Sequence, residues 1–152
     1  MSKEYPWGKG TPKWARDATL NDSDKSFTVP AGKIWVLKRV YAQLVCTATV
    51  GNRLLQATFT NGTDIVFMSP KTGNITASQT GVLVFGYDIY GSATAVQYAP
   101  KLDTTSPNVI AAFSTGELVL PAGYVMRVYD SAAVDAAADD LTVLYEYVEY
   151  DA

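Results

Sequence analysis

Two glutamates near the end of the chain, Glu146 and Glu149, come closest to a hydrolytic pair. A glycosidase needs two carboxyl groups that face one cleft, one as general acid and the other as base or nucleophile. In a β-strand, side chains separated by an odd number of positions point to opposite faces. Unless the strand bulges between them, these two carboxylates cannot converge, and we expect no acid–base chemistry from them.

The remaining residue types also argue against catalysis. The chain has no histidine, which removes Ser-His-Asp and Cys-His mechanisms and the imidazole metal sites. Its single cysteine, Cys46, lies on the apolar side of an alternating segment, so we interpret it as a structural residue without a disulfide. The sequence therefore predicts a protein that is not an enzyme, with no catalytic residue, no cofactor and no metal site.

An acidic cluster lies close to the C-terminus, at Asp130, Asp135, Asp139 and Asp140. Carboxylates gathered in a loop can bind calcium, but the ligand order and the glycine of an EF-hand are missing. We favour solvated loop carboxylates, and a calcium loop stays as the alternative.

Aromatic side chains offer a second kind of candidate site. A platform of exposed rings could stack on sugar rings, whereas rings inside alternating strands fill a core or a subunit interface. The core or interface is favoured, because most of these residues lie inside strand-like segments. The candidates are Trp35, Tyr41, Tyr87, Tyr90 and Tyr98.

The segments that would carry these residues alternate with the period of a β-strand. In residues 34–50 every even position is apolar except Lys38, which predicts one long strand with its even face buried. Pro-Ala-Gly occurs at residues 30–32 and again at 121–123, and each copy predicts a hairpin between antiparallel strands. Gly51 and Asn52 predict a third hairpin.

These elements predict an all-β fold, a jelly-roll-type antiparallel β-sandwich of eight or so strands. An immunoglobulin-like sandwich is the runner-up, but its Cys…Trp…Cys spacing is absent. Residues 1–23 show little periodicity and mix tryptophan with glycine and proline. We interpret 1–23 as an extended N-terminal arm that packs on its own domain or on a neighbour, and 24–152 as the β-sandwich domain.

Charge and hydropathy exclude further classes. Twelve basic and 15 acidic residues give a net charge of −3, which disfavours nucleic acid as a partner. The longest apolar runs are only strand-sized, so we expect no membrane span. The N-terminal residues lack the apolar stretch of a secretory signal, which predicts synthesis in the cytoplasm.

Several motifs together resemble a known group of proteins. They are Val-Pro-Ala-Gly-Lys before the long strand, the turn at residues 50–53, Leu-Pro-Ala-Gly-Tyr-x-x-Arg-Val, and Asp-Asp-Leu-x-Val at residues 139–143. The pattern is similar to small jelly-roll structural proteins of tailed-bacteriophage virions, which include capsid decoration or cement proteins and minor head or tail components. The resemblance covers residues 27–150 and leaves the arm uncovered.

The resemblance implies a non-enzymatic virion protein that binds between major capsid subunits as a cement protein, with a homotrimer favoured. Its expected partner is the major capsid protein or another virion protein, and not nucleic acid or membrane. The alternative is a carbohydrate- or receptor-binding module associated with a tail or head fibre. In the cement interpretation the arm is the anchor, and its partner-binding residues are Trp7, Lys9, Lys13, Trp14 and Arg16.

Overall fold

The computed structural model describes residues 8–87 and 107–152, which form two β-sheets packed face to face. The strands in chain order are β1 (Thr11–Asp17), β2 (Asp24–Thr28), β3 (Lys33–Val45), β4 (Leu55–Thr60), β5 (Ile65–Met68), β6 (Thr80–Gly86), β7 (Val109–Ser114), β8 (Leu118–Leu120), β9 (Val125–Asp130) and β10 (Asp140–Asp151). The larger sheet has the order β1-β10-β3-β6-β7, with β8 also paired to β3, and the smaller sheet has the order β2-β9-β4-β5. In this part of the chain no helix is long and apolar enough to span a membrane.

The strand pairs are nested in the manner of a jelly roll. β1 pairs with β10, β2 with β9, β3 with β6 and β4 with β5, all antiparallel. Such nesting produces the two Greek keys of the fold. β7 and β8 are additions to this scheme, and β7 runs parallel to β6 at the edge of the larger sheet. The predicted jelly-roll-type sandwich is confirmed.

One hydrophobic core fills the space between the sheets. Phe59 of the smaller sheet meets Phe85 of the larger sheet edge to face, with ring centroids 6.0 Å apart. Phe85 also stacks on Phe113 of β7 at 5.3 Å. Burying each side chain of this size contributes about 2–3 kcal/mol. The other large, fully buried apolar side chains of this core include Leu37, Leu44, Leu55, Ile75, Leu83, Met126 and Leu141.

The two Pro-Ala-Gly turns are corners between the sheets, so the hairpin prediction is wrong for both. The first turn connects β2 to β3 and the second connects β8 to β9, and each of these pairs lies in different sheets. The turns lie side by side, because Val29 N donates to Tyr124 O at 2.9 Å and Gly123 N donates to Val29 O at 3.0 Å. The hairpin predicted at residues 51–52 is wrong for the same reason, since β3 and β4 also lie in different sheets.

A β-bulge divides β3 into two parts. Arg39 lies opposite Glu146 of β10 and Leu37 lies opposite Tyr147, which leaves Lys38 without a partner in that strand. The core-facing positions therefore change from odd to even at the bulge. The predicted even-numbered face is correct only beyond it. The core side chains of β3 are Trp35, Leu37, Val40, Ala42 and Leu44.

The segment predicted as an arm, 1–23, contains an edge strand of the larger sheet. β1 pairs with β10 along its whole length, from Thr11 opposite Glu149 to Asp17 opposite Val143. Pro12 is compatible with this position because an edge strand does not need every amide for pairing. Residues 11–17 are therefore part of the sandwich, and residues 1–7 lie outside the described range.

Candidate contact surfaces

A buried ion pair holds together the loops at one end of the sandwich. Arg53 precedes β4 and Asp139 precedes β10, and both side chains are 0% exposed. Arg53 Nε donates to Asp139 Oδ2 at 2.9 Å and Nη2 donates to Oδ1 at 3.2 Å. Nη1 donates to the carbonyl oxygens of Thr49 and Gly51. The guanidinium thus fixes the β3–β4 loop to the β9–β10 loop.

The other members of the acidic cluster also serve the loops. The Asp130 carboxylate accepts from Leu54 N at 2.9 Å, and hydroxyls of the β3–β4 loop, the nearest at 2.6 Å, donate to Asp135 and lower its pKa. Asp140 accepts from Asn21 N at 2.7 Å. Because Asp130 is buried, as is Asp139, the solvated-carboxylate interpretation is wrong for those two. Within the described ranges, no three Asp, Glu or Cys residues are grouped to hold a metal ion.

Cys46 lies in the core beside this ion pair. Burial is the main cause that raises the pKa of its thiol to about 11, and the nearby Asp139 charge adds to the effect. A raised pKa and a buried position make the thiol a poor nucleophile.

We expect Cys46 to resist alkylation while the protein is folded. Because its pKa is about 11 instead of 9.0, the fraction of Cys46 that is ionised to thiolate at pH 8 is about a hundredth of the fraction for an unperturbed cysteine. Iodoacetamide labelling followed by mass spectrometry should be at least about a hundredfold slower in buffer than in 8 M urea. Equal rates in the two solvents would show that the site opens freely.

Glu146 and Glu149 have different partners. Glu149 accepts from Lys13 Nζ at 2.6 Å and from Trp35 Nε1 at 3.0 Å, and the Lys13 hydrogen bond is the main cause of its lowered pKa. Glu146 lies 3.9 Å from Arg39 Nε. The register between β10 and β3 shifts between Glu146 and Tyr147, but the extra residue of this bulge lies in β3. Side chains along β10 therefore keep their alternation, and the carboxylates of Glu146 and Glu149 point to opposite faces of the sheet.

The aromatic candidates divide between the core and the surface. Trp35 and Tyr41 are buried, and Trp35 packs on Tyr147 with ring centroids 4.4 Å apart. The core interpretation is thus confirmed for these two residues. Tyr87 is 43% exposed. Tyr90 and Tyr98 lie outside the described residues.

The predicted partner-binding residues are spread over two faces of β1. Trp14, 54% exposed, and Arg16 share the outer face of the larger sheet because they are two positions apart. Lys13 points to the other side, where it pairs with Glu149. Lys9 is exposed just before the strand. Trp7 lies outside the described range.

Most charged side chains of the described residues have a partner within the chain. Within residues 8–87 and 107–152, four charged side chains form neither an ion pair nor a hydrogen bond through their charged group: Lys9, Arg16, Asp64 and Lys71. The first two are basic and lie on or beside β1. The other two have opposite charges and flank β5. These two edge strands are therefore where charge is free to meet a partner.

The free edge of the smaller sheet is apolar. In β5, Ile65 is 55% exposed and both Val66 and Met68 are 49% exposed, while Phe67 points inward and meets Phe59 at 5.4 Å. We call residues 65–68 the β5 edge. No contact surface is predicted here from the sequence. The available signal is an unbroken apolar run where a half-exposed strand would alternate.

Comparisons with known proteins do not assign the chain to a family. No family model matches the chain, and no curated protein matches it. Among solved structures, a chain in the structure of infectious bursal disease virus, Gx strain, aligns with 93% of this chain at 11% identity and a TM-score of 0.28. The match covers 41% of that viral chain.

Proposed function

We propose that this protein is a non-enzymatic structural component of a virus particle. Within that class the best-supported role is a capsid decoration or cement protein of a tailed bacteriophage, which binds between major capsid subunits. The motif resemblance to virion proteins supports the phage assignment. The jelly-roll core supports a role by contact, since three of the four carboxylates of the acidic cluster, those of Asp130, Asp135 and Asp139, accept hydrogen bonds that hold its loops.

The observation that carries this proposal is the outer face of β1. A tryptophan that is more than half exposed on a rigid strand is typical of a residue that a partner covers. Arg16 lies beside it with no counter-ion among the described residues. An apolar pocket bordered by a carboxylate would complement both side chains, and the major capsid protein would supply it.

The ion pair of Lys13 supports this role indirectly. Lys13 Nζ contacts Glu149 at 2.6 Å, on the opposite side of β1 from Trp14. Together with the seven-residue pairing to β10, this contact holds the strand in one position. A preordered strand loses little conformational entropy when it binds, so its side chains contribute more of their contact energy.

The fibre-associated carbohydrate-binding alternative has less support. Two of the five rings suggested for a sugar platform, Trp35 and Tyr41, are in the interior. We therefore retain the cement role, and with it a homo-oligomer in the assembled particle. The resemblance favours a trimer there.

Point substitutions on β1 test the proposal. We expect Trp14→Ala combined with Arg16→Glu to weaken binding to capsids stripped of this protein by at least about tenfold, because both anchors are removed. Occupancy would be counted by cryo-electron microscopy at several protein concentrations. Deletion of residues 2–22 is a poorer test, since it removes the edge strand of the sheet.

The matched control is Val50→Ala, which changes an exposed apolar residue in the β3–β4 loop, away from β1. This control should bind as tightly as the unchanged protein. Equal occupancy for the Trp14/Arg16 variant, with unchanged thermal unfolding, would exclude β1 as the capsid contact.

A further inference from the structure

The β5 edge has the features of a strand that pairs with the same strand of a second copy of the chain. β5 is one of the two outer strands of the smaller sheet, so one side of its backbone lacks a neighbouring strand among the described residues. Ser69 N donates to Ala57 O at 2.9 Å, back toward β4. By the alternation of a strand, the backbone of Met68 then points away from β4 and toward a possible partner.

Three apolar side chains along this edge are about half exposed. Natural edge strands usually carry a charge or proline that discourages pairing with other chains. β5 carries neither in residues 65–68. Its protection is limited to its short length and to a bulge that leaves Val66 without a partner in β4. The exposed apolar surface of Ile65, Val66 and Met68 would be removed from water if another chain covered this edge, which favours association.

The charges at the two ends of the strand define which partner fits. Asp64 precedes β5 and Lys71 follows it, both exposed and both without an ion-pair partner among the described residues. If a second β5 ran parallel, like charges would meet. In the antiparallel arrangement about a two-fold axis, Asp64 of each copy approaches Lys71 of the other. The edge is therefore complementary to itself in one orientation only.

We propose that a second copy of this chain docks on the β5 edge, antiparallel and about a two-fold axis, with two Asp64–Lys71 ion pairs at the ends of an apolar centre. One short strand per copy covers less than the about 800 Å² per partner of a standard interface, so the association is reversible and depends on concentration. A two-fold contact joins copies in pairs, so in solution it builds assemblies with an even number of copies, and it is a different contact from the three-fold contact of the trimer proposed for the assembled particle. This surface is separate from β1, and the inference does not rest on the capsid-binding role.

Exchange of the terminal charges tests the contact. The mass of the full chain would be measured by sedimentation equilibrium from 5 µM to 1 mM, without capsids. Asp64→Lys and Lys71→Asp, each studied singly, should weaken self-association by at least about tenfold, since each brings two pairs of like charges together. An equimolar mixture of the two single variants should associate again, because each mixed pair restores both ion pairs. The double variant should associate within about threefold of the unchanged protein.

A second variant tests the apolar centre. Val66→Lys with Met68→Lys should abolish association, whereas Val50→Lys, at an exposed site outside β5, should leave it unchanged. A protein that stays monomeric up to 1 mM, or forms only odd-numbered assemblies, would overturn the proposal. So would a mixture of the two charge variants that fails to associate although each variant is folded by circular dichroism.

Discussion

Replacing Asp139 by alanine is expected to lower the free energy of unfolding by about 3–5 kcal/mol. The substitution leaves the guanidinium of Arg53 fully buried without its counter-ion. It also removes the acceptor for Thr47 N, which donates to Asp139 Oδ1 at 2.8 Å. Urea unfolding followed by tryptophan fluorescence would measure the loss.

The ion pair between Asp24 and Arg127 provides the matched control. These side chains approach to 2.6 Å, similar to the buried pair, but both are almost half exposed. Asp24→Ala should therefore cost at most about 1 kcal/mol. Replacing both buried partners, as Arg53→Met with Asp139→Leu, should recover part of the loss because no charge stays buried. A cost below about 1 kcal/mol for Asp139→Ala would show that water reaches Arg53.

Gly86→Ala is expected to destabilise the protein by about 3 kcal/mol, because the bulge in β3 leaves no room for a side chain there. An added Cβ would lie 2.2 Å from Lys38 O and 2.7 Å from Arg39 Cα. Both are backbone atoms, which cannot turn aside as a flexible side chain can. The midpoint of thermal unfolding, measured by calorimetry, would report the effect.

Gly116→Ala is the control for this substitution. Gly116 lies in the connection between β7 and β8, and an added Cβ has no atom within 4 Å. The change should be neutral within about 0.5 kcal/mol, or slightly stabilising through the unfolded state. Equal changes in the unfolding midpoint for the two substitutions would mean that the backbone of β3 moves at the bulge to make room for the added methyl group.

The sheet architecture could be predicted from the sequence to a large extent, but individual pairings could not. Alternation in β3 and β10 identifies strands, and turn residues between strands indicate a sandwich. A Pro-Ala-Gly turn, however, specifies only that the chain reverses locally. Whether the next strand joins the same sheet depends on long-range pairing, such as that between β2 and β9. No local pattern encodes that choice.

The local sequence explains why the prediction missed the bulge in β3 and the strand β1. Lys38 interrupts the even-numbered apolar face of β3, and all four residues before it, 34–37, are apolar, so either face of that part of the strand could be buried and a change of face at a bulge fits the sequence. Pro12 and the glycines beside it hide the strand character of β1. The partner of Arg53 could not be predicted, because Asp139 is one of four aspartates close together in sequence and only the folded loops select it.

The pairing of β1 with β10 determines when the larger sheet can finish folding. Of the described strands β1 leaves the ribosome before the others, its partner β10 follows after them, and β2 must likewise wait for β9. During synthesis the growing chain therefore exposes unpaired strands and apolar surface. Folding depends on contacts between distant parts of the sequence and is expected to be slow. A truncated product that lacks β10 would have no partner for β1 and would leave one side of β3 open.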